Sequence, residues 1–249
     1  YTLKEQGKLE EAMEAYNKAL VIKPDYTESR HDLVELLKLY SPKRSYFNQL
    51  IDIDSKIKAK HDTNAFSEAD RELSIYILDL LNEIQSTDKN LFTKYSQIYR
   101  TNKVDLNCDR HTTIFTEKNI IPEFCFGCYK VQVEVTTVLD LIRLAAFFYE
   151  IEFESDVTRK CMVEVRPNIL GSYKGLIFCR GIDQAQSVKT QLHVKLKEID
   201  RNLVAKIKKG CSEFALAFPK YGEVSANEQE MMQYPDAWRA LEVTFDTES

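Results

Sequence analysis

Tyr129-Lys130-Val131-Gln132-Val133-Glu134-Val135 switches between apolar and polar side chains at every step, the period-two pattern of a half-buried strand. Downstream, Thr137-x2-Asp140 is a capping pair, and the apolar run behind it predicts a helix to about Ile151. Arg159 to Val165 alternates again, with Cys161, Val163 and Val165 on one face, and Pro167-Asn168-Ile169-Leu170-Gly171-Ser172 reads as a turn. Tyr173 to Cys179 predicts the next strand. A long helix is expected from Asp183, broken near Asp200-Arg201-Asn202, and Ser212 to Phe218 reads as a strand stopped by Pro219. Leu241 to Phe245 fits an added edge strand. The elements run strand, helix, strand, strand, helix, strand.

That order resembles the ferredoxin-like split βαβ unit, which implies an α+β fold: four antiparallel strands, two helices on one face, the other face open. The alternation puts Lys130, Gln132 and Glu134 on the open face with Met162, Glu164 and Arg166. On the third strand, Lys174-Gly175-Leu176-Ile177-Phe178 resembles the K-G-[FY]-[GA]-F core of the RNA-recognition motif, whose outward aromatics stack on bases. Leu176 stands where the first stacking aromatic belongs, so Phe178 is left alone. Base stacking contributes about 1–3 kcal/mol per base, and one platform holds RNA weakly. Met162, Leu176 and Phe178, flanked by Arg166 and Lys174, are better expected as a surface covered by another part of the chain or by a protein partner.

Toward the N-terminus, Gly7-Lys8-Leu9-Glu10-Glu11-Ala12-Met13-Glu14-Ala15-Tyr16 continues to Ala19-Leu20 and Pro24. Small Ala12 and Ala19 let two helices approach, Tyr16 fills the groove between them, and Pro24 stops the helix. Ala12-x3-Tyr16 and the later Pro24 resemble the second half of a tetratricopeptide repeat. Thr27 to Tyr40 reads as the first helix of a following repeat, with Leu33, Leu36 and Leu37 on one face and Val34 where that family has a small residue. The resemblance implies a helical solenoid that binds peptides or proteins. Residue 1 already lies inside a repeat, so the chain is expected to open partway through an array. The region 41–107 also reads as helical. Ser67-x2-Asp70 starts a helix carrying Leu73, Tyr76, Ile77, Leu80, Leu81 and Ile84, and Ser86-Thr87-Asp88 caps another carrying Leu91, Phe92, Tyr95, Ile98 and Tyr99. Three regions are expected: 1–40 tetratricopeptide-type, 41–107 helical, and 108–249 a cysteine-containing linker with the α+β domain.

Between the last two regions lie Cys108-x2-His111, thirteen further residues, and Cys125-x2-Cys128. Two-residue spacing lets both members of a pair reach one ion, and three thiolates with one imidazole suit zinc. Phe124-Cys125-Phe126-Gly127-Cys128-Tyr129 resembles a zinc knuckle, with Gly127 expected to permit the tight turn. Four protein ligands would leave no open position, so the zinc would be a structural staple. The competing reading makes Cys125 and Cys128 reduced core thiols and His111 a loop residue. A redox role for the CxxC pair is weakened because the pair precedes a strand rather than opening a helix. Cys161 and Cys179 read as core thiols, and Cys211 has no evident companion.

Composition bounds the rest. The 249 residues carry a net charge of −5, which argues against a surface coated with nucleic acid. No apolar run approaches the eighteen or so residues a membrane span needs. Six cysteines with metal-type spacing fit a reducing compartment, hence a cytoplasmic protein. The seven glycines form no G-x-G-x-x-G, P-loop or G-x-S-x-G arrangement, and none of the four histidines adjoins a plausible nucleophile in sequence. No catalytic residue is assigned. The reading is a non-enzymatic, protein-binding scaffold, with an RNA-binding module or an enzyme using the CxxC pair or an unrecognised pocket as the alternatives.

Overall fold

The computed structural model describes residues 2–23, 26–40, 54–59, 91–94, 97–100, 108–154, 157–164, 169–200 and 202–248. It is a mixed helix-and-sheet protein with antiparallel pairing. Two compact units divide it, and neither is continuous in sequence.

The first unit comprises Tyr1–Thr101, Glu134–Glu152 and Arg159–Gly175. Helices α1 (Leu9–Ile22) and α2 (Thr27–Leu39) pack as a pair. Ala12, Met13 and Leu20 of α1 and Leu33 and Leu36 of α2 are buried, the apolar stripes that the sequence places there. The Tyr40 hydroxyl donates to Glu10 across the pair at 2.8 Å. Burial first, then Asp32, raises the pKa of Tyr16, which sits half-buried where the repeat pattern puts its groove-filling aromatic. Residues 54–59 are helical, and Asp54 accepts from the Val138 amide at 3.3 Å. Helix α2 also packs on the helix that follows the quoted strand, so the repeat-type helices are rooted on the α+β part.

Strands β1 (Leu91–Lys94) and β2 (Gln97–Arg100) replace the helix expected over Leu91 to Tyr99. Leu91, Phe92, Ile98 and Tyr99 fit a helical stripe, but they are also aromatic and branched residues in two four-residue blocks. Pairing decides between them: Phe92 faces Tyr99, and Ile98 faces Cys161 of β4, so β2 adds to a sheet edge. The helix expected from Ser67 lies outside the described residues.

Strand β3 (Cys128–Val135) leads into a helix here labelled α5 (Val138–Glu150). Its cap is as expected: Thr137 Oγ1 accepts from the Asp140 amide at 3.0 Å. Strands β4 (Arg159–Val163) and β5 (Tyr173–Arg180) follow. Arg159 ties the end of α5 to β4 by donating to the carbonyls of Phe148 and Ile151. Gly175 is required for close packing, because a Cβ there would lie 2.7 Å from Leu144 Cδ2 and 2.8 Å from the Phe148 ring. The strand order in this unit is β1-β2-β4-β5.

The second unit comprises Asn102–Val133, Phe153–Thr158 and Leu176–Ser249. It opens with α3 (Cys108–Lys118) and the short α4 (Glu123–Phe126), and its strand order is β5-β3-β6. Helix α6 (Gly181–Ile199) runs from the end of β5 to β6 (Ala205–Lys209), with Val188, Leu192 and Leu196 fully buried. Here the structure corrects the expected last strand. Ser212–Ala217 is a helix, α7, and the strand is the preceding Ala205-Lys206-Ile207-Lys208-Lys209. Val131 of β3 faces Ile207 in that antiparallel pair. Exposed Lys206 and Lys208 disguise the strand, although lysine is how an edge strand resists further pairing. Helix α8 (Pro219–Gly222), one 3₁₀ turn (Glu228–Glu230) and α9 (Asp236–Glu248) complete the unit. The expected edge strand at Leu241 to Phe245 is helix, and Arg110 of α3 holds α9 through Glu242 and Asp246, at 3.2 and 2.7 Å.

Candidate functional site

The cysteine-bearing segments meet in the second unit. Cys108 opens α3, and His111 lies one turn along the same helix, not in a linker. Cys125 sits in α4, Cys128 is the first residue of β3, and Cys211 joins β6 to α7. Cys125 packs in an apolar cluster with Ile121, Phe214 and Tyr221, and Cys211 borders the same cluster. The Tyr221 hydroxyl donates to the Cys125 carbonyl at 3.0 Å. Phe115 of α3 stacks near Phe214 with ring centres 4.6 Å apart, which brings the helix carrying Cys108 to this cluster.

Glycine is needed at Gly210, not Gly127. Gly127 has φ −87, which any residue adopts, and the nearest atom to a Cβ there is the Phe124 carbonyl oxygen at 3.7 Å. A Cβ on Gly210 would collide with the Cys128 sulfur and lie 3.2 Å from its Cβ. The Gly210 amide donates to the Cys128 carbonyl at 2.9 Å. Cys128 is thus seated directly against the residue before Cys211.

Burial, with Cys128, Cys211 and Cys108 adding to it, pushes the Cys125 thiol far up. Burial and then Cys108 raise Cys128 to about 11, against the opposing pull of Lys130 and Lys209. Both lysines are buried. Lys130 donates to Ser212 Oγ at 2.7 Å, while Lys209 donates to the Phe126 carbonyl and the Tyr129 hydroxyl at 2.7 and 2.9 Å. Burial drops Lys209 to about 8, with Cys128 and Glu228 pulling the other way. Cys211 donates to Glu213 at 3.1 Å.

Against the expected set of Cys108, His111, Cys125 and Cys128, the structure places Cys108 exposed, Cys128 half-buried, and His111 and Cys125 buried. The His111 ring stacks on Phe124, with centroids 5.1 Å apart. Among the described residues, no three His, Cys, Asp or Glu side chains are already gathered at metal-holding distance. Cys211, which has no evident companion in the sequence, follows Gly210 as Cys128 follows Gly127.

The expected contact surface is mostly covered. Met162 and Leu176 are buried, Phe178 is half-buried, and Lys174 is buried in an ion pair with Glu164 at 3.4 Å. Lys130 and Gln132, expected on the open face, are buried as well. Arg166 lies outside the described residues. Cys161 and Cys179 are buried free thiols. No described helix is long and apolar enough to cross a membrane.

Residues 1–33 match the family described as TPR repeat, the same segment that carries the Ala12-x3-Tyr16 pattern. Comparison with curated proteins and with solved structures gives no match.

Proposed function

We propose that this chain is a non-enzymatic scaffold that binds a protein partner through its repeat-type helices and holds them on an α+β base. The observation that carries the reading is the TPR-repeat match over residues 1–33, on helices α1 and α2 that pack as the pattern requires. TPR-type helices present surfaces to proteins and peptides. Val21 and Ile22 at the end of α1 and Tyr26 before α2 are exposed, an apolar surface available to a partner. The β3-α5-β4-β5-α6-β6 sequence, with neighbours β4–β5, β5–β3 and β3–β6, supports a ferredoxin-like base. A metal held by Cys108, His111, Cys125 and Cys128 would be a structural staple there, joining α3 to the α4–β3 turn. A cytoplasmic location accords with six cysteines in metal-type spacing.

The test is affinity purification of the full chain from its source cells, with and without nuclease, against a Glu11→Arg/Lys18→Glu variant altered on exposed α1 positions. The scaffold reading expects one or more proteins recovered with wild type and depleted at least tenfold with the variant. Equal recovery by both, or recovery abolished by nuclease, would contradict it.

A further inference from the structure

We infer that the outer edge of β6, with the basic flank of α6 beside it, is a docking surface for an acidic, extended segment of a partner protein, which adds there as a further strand. The surface is built wholly within the second unit and does not draw on the repeat-type helices.

Charge marks the place. Residues 184–211 hold seven Lys and Arg against two acidic residues, a net +5 in a chain whose own net charge is −5. Lys189, Lys197 and Lys206 are exposed, and none of the three is paired with a carboxylate among the described residues. Their charge is therefore not spent on contacts within the molecule.

The fold sets these cations on both sides of one strand edge. Strand β6 stands last in the sheet order, paired to β3 on one side and with no described strand on the other. Lys206 faces Gln132 and Lys208 faces Lys130, so both exposed lysines lie on one sheet face, while Ile207 and Val131 lie on the other. Helix α6 packs against β6, and it takes the Ile207 face, because the other is left to exposed lysines. Its buried side carries Val188, Leu192 and Leu196. Lys189, His193 and Lys197 recur every fourth residue along one exposed flank. The opposite flank carries Gln191, which accepts from the Glu154 amide at 3.4 Å, and that segment is tied to β5 where the Phe178 amide donates to the Thr158 carbonyl at 2.8 Å. With the order β5-β3-β6, the Gln191 flank looks toward β5 and the lysine flank looks past β6.

An acidic strand fits this arrangement better than any other anion. Only a peptide can pair with the backbone groups along an open strand edge, and strand addition of this kind is a recurrent mode of recognition. Every second side chain of the added strand would lie about 5 Å across from Lys206 or Lys208, and the others would face the α6 flank. The same lysines repel a second β6 edge from another copy, so they reject like pairing while admitting an acidic strand. Residues 184–211 contain no Phe, Tyr or Trp on which bases could stack, and Val194 and Val204 are the exposed large apolar residues there, which gives a bilayer little to hold.

The experiment is fluorescence anisotropy of the full chain with a labelled twelve-residue peptide of alternating Glu and Thr. Saturable binding is expected, at least tenfold tighter than for the same peptide with Gln in place of Glu. Lys206→Glu/Lys208→Glu and Lys189→Glu/Lys197→Glu should each weaken it at least tenfold. N-methylation of alternate peptide amides keeps the charges, and in one of its two phases it should weaken binding at least tenfold, since an added strand points every second N–H at β6. Hydrogen exchange of wild type supplies a reading that needs no variant to fold: alternate β6 amides should slow when the peptide is bound. No saturable binding, equal affinity for the Glu and Gln peptides, or binding unchanged in both lysine variants overturns the site. Full binding by both N-methylated phases, or β6 exchange that the peptide leaves unaltered, overturns strand addition and the proposal with it. Tighter binding of a twelve-nucleotide oligouridine or of phosphatidylserine vesicles, lost in the same lysine variants, would make the surface one for nucleic acid or lipid and overturn the acidic-strand assignment.

Discussion

Replacing Gly210 by alanine adds one methyl group at the point where β3 meets the β6–α7 junction. Its Cβ would overlap the Cys128 sulfur, with Cys128 Cβ at 3.2 Å and the Cys128 carbonyl oxygen at 3.4 Å leaving no direction of easy retreat. Gly210 is not among the positive-φ glycines, so the cost is steric rather than conformational. Overpacking of this kind costs about 1–3 kcal/mol. For a chain of this size that corresponds to a fall of roughly 2–12 °C in Tm, at about 2–4 °C per kcal/mol. Gly127→Ala is the matched control: with 3.7 Å to the nearest atom and a helical φ, it should be neutral or stabilising by up to about 1 kcal/mol. Urea denaturation of both variants reads the difference directly. The reasoning fails if Gly210→Ala is as stable as wild type, or if Gly127→Ala is the damaging change.

Three other outcomes follow from the described packing. Gly175→Ala should cost about 1–3 kcal/mol in denaturant unfolding, because its Cβ meets Leu144 and Phe148 of α5 inside 3 Å, and a neutral result would show that α5 is not seated on β5. Lys174→Met should cost about 3–5 kcal/mol by breaking the buried ion pair with Glu164, and the Lys174→Met/Glu164→Leu double variant should recover most of it in the same assay. Cys161 and Cys179 should resist alkylation in the native chain both before and after chelation. Burial raises both thiols, Cys179 to about 12 with Cys128 contributing, and mass mapping that finds either one labelled early would place it outside the core.

Local signals in the sequence were sound wherever the local and tertiary demands agree. Tyr129 to Val135 is a strand, Thr137 and Asp140 cap a helix, and the Ala12-x3-Tyr16 segment is a repeat-type helix because each has its own period and punctuation. The errors fall where partners elsewhere decide. Leu91 to Tyr99 fits helix by spacing but pairs into the sheet edge through Ile98 and Cys161. The lysines at positions 206 and 208 conceal a strand whose identity is set by its partner β3. Phe214 and Phe218 look like one face of a strand from Ser212, yet Phe214 is a helical core residue clamped between Phe115 and Tyr221. The same holds at the site. Paired spacing makes Cys108, His111, Cys125 and Cys128 visible together, whereas the approach of Gly210 to Cys128 comes only through the strand pairing of β3 and β6, which one-dimensional spacing does not express. The RNA-type segment Lys174 to Phe178 illustrates the converse: its composition suggests an open face, but ion pairing and packing bury Lys174 and Leu176.

The central claim is that the repeat-type helices are the protein-binding surface, and site-specific photo-crosslinking tests it most directly. A photoreactive residue is placed in the full chain at exposed Glu11, Lys18 or His31 on α1 and α2, and at exposed Asp183 or Thr244 on α6 and α9 as comparison positions. After irradiation in source cells, the account predicts a discrete protein adduct, the same species at two or more of the α1–α2 positions and at least tenfold weaker at the comparison positions. Adducts confined to α6 or α9, or adducts that nuclease digestion shows to be nucleic acid, would contradict it.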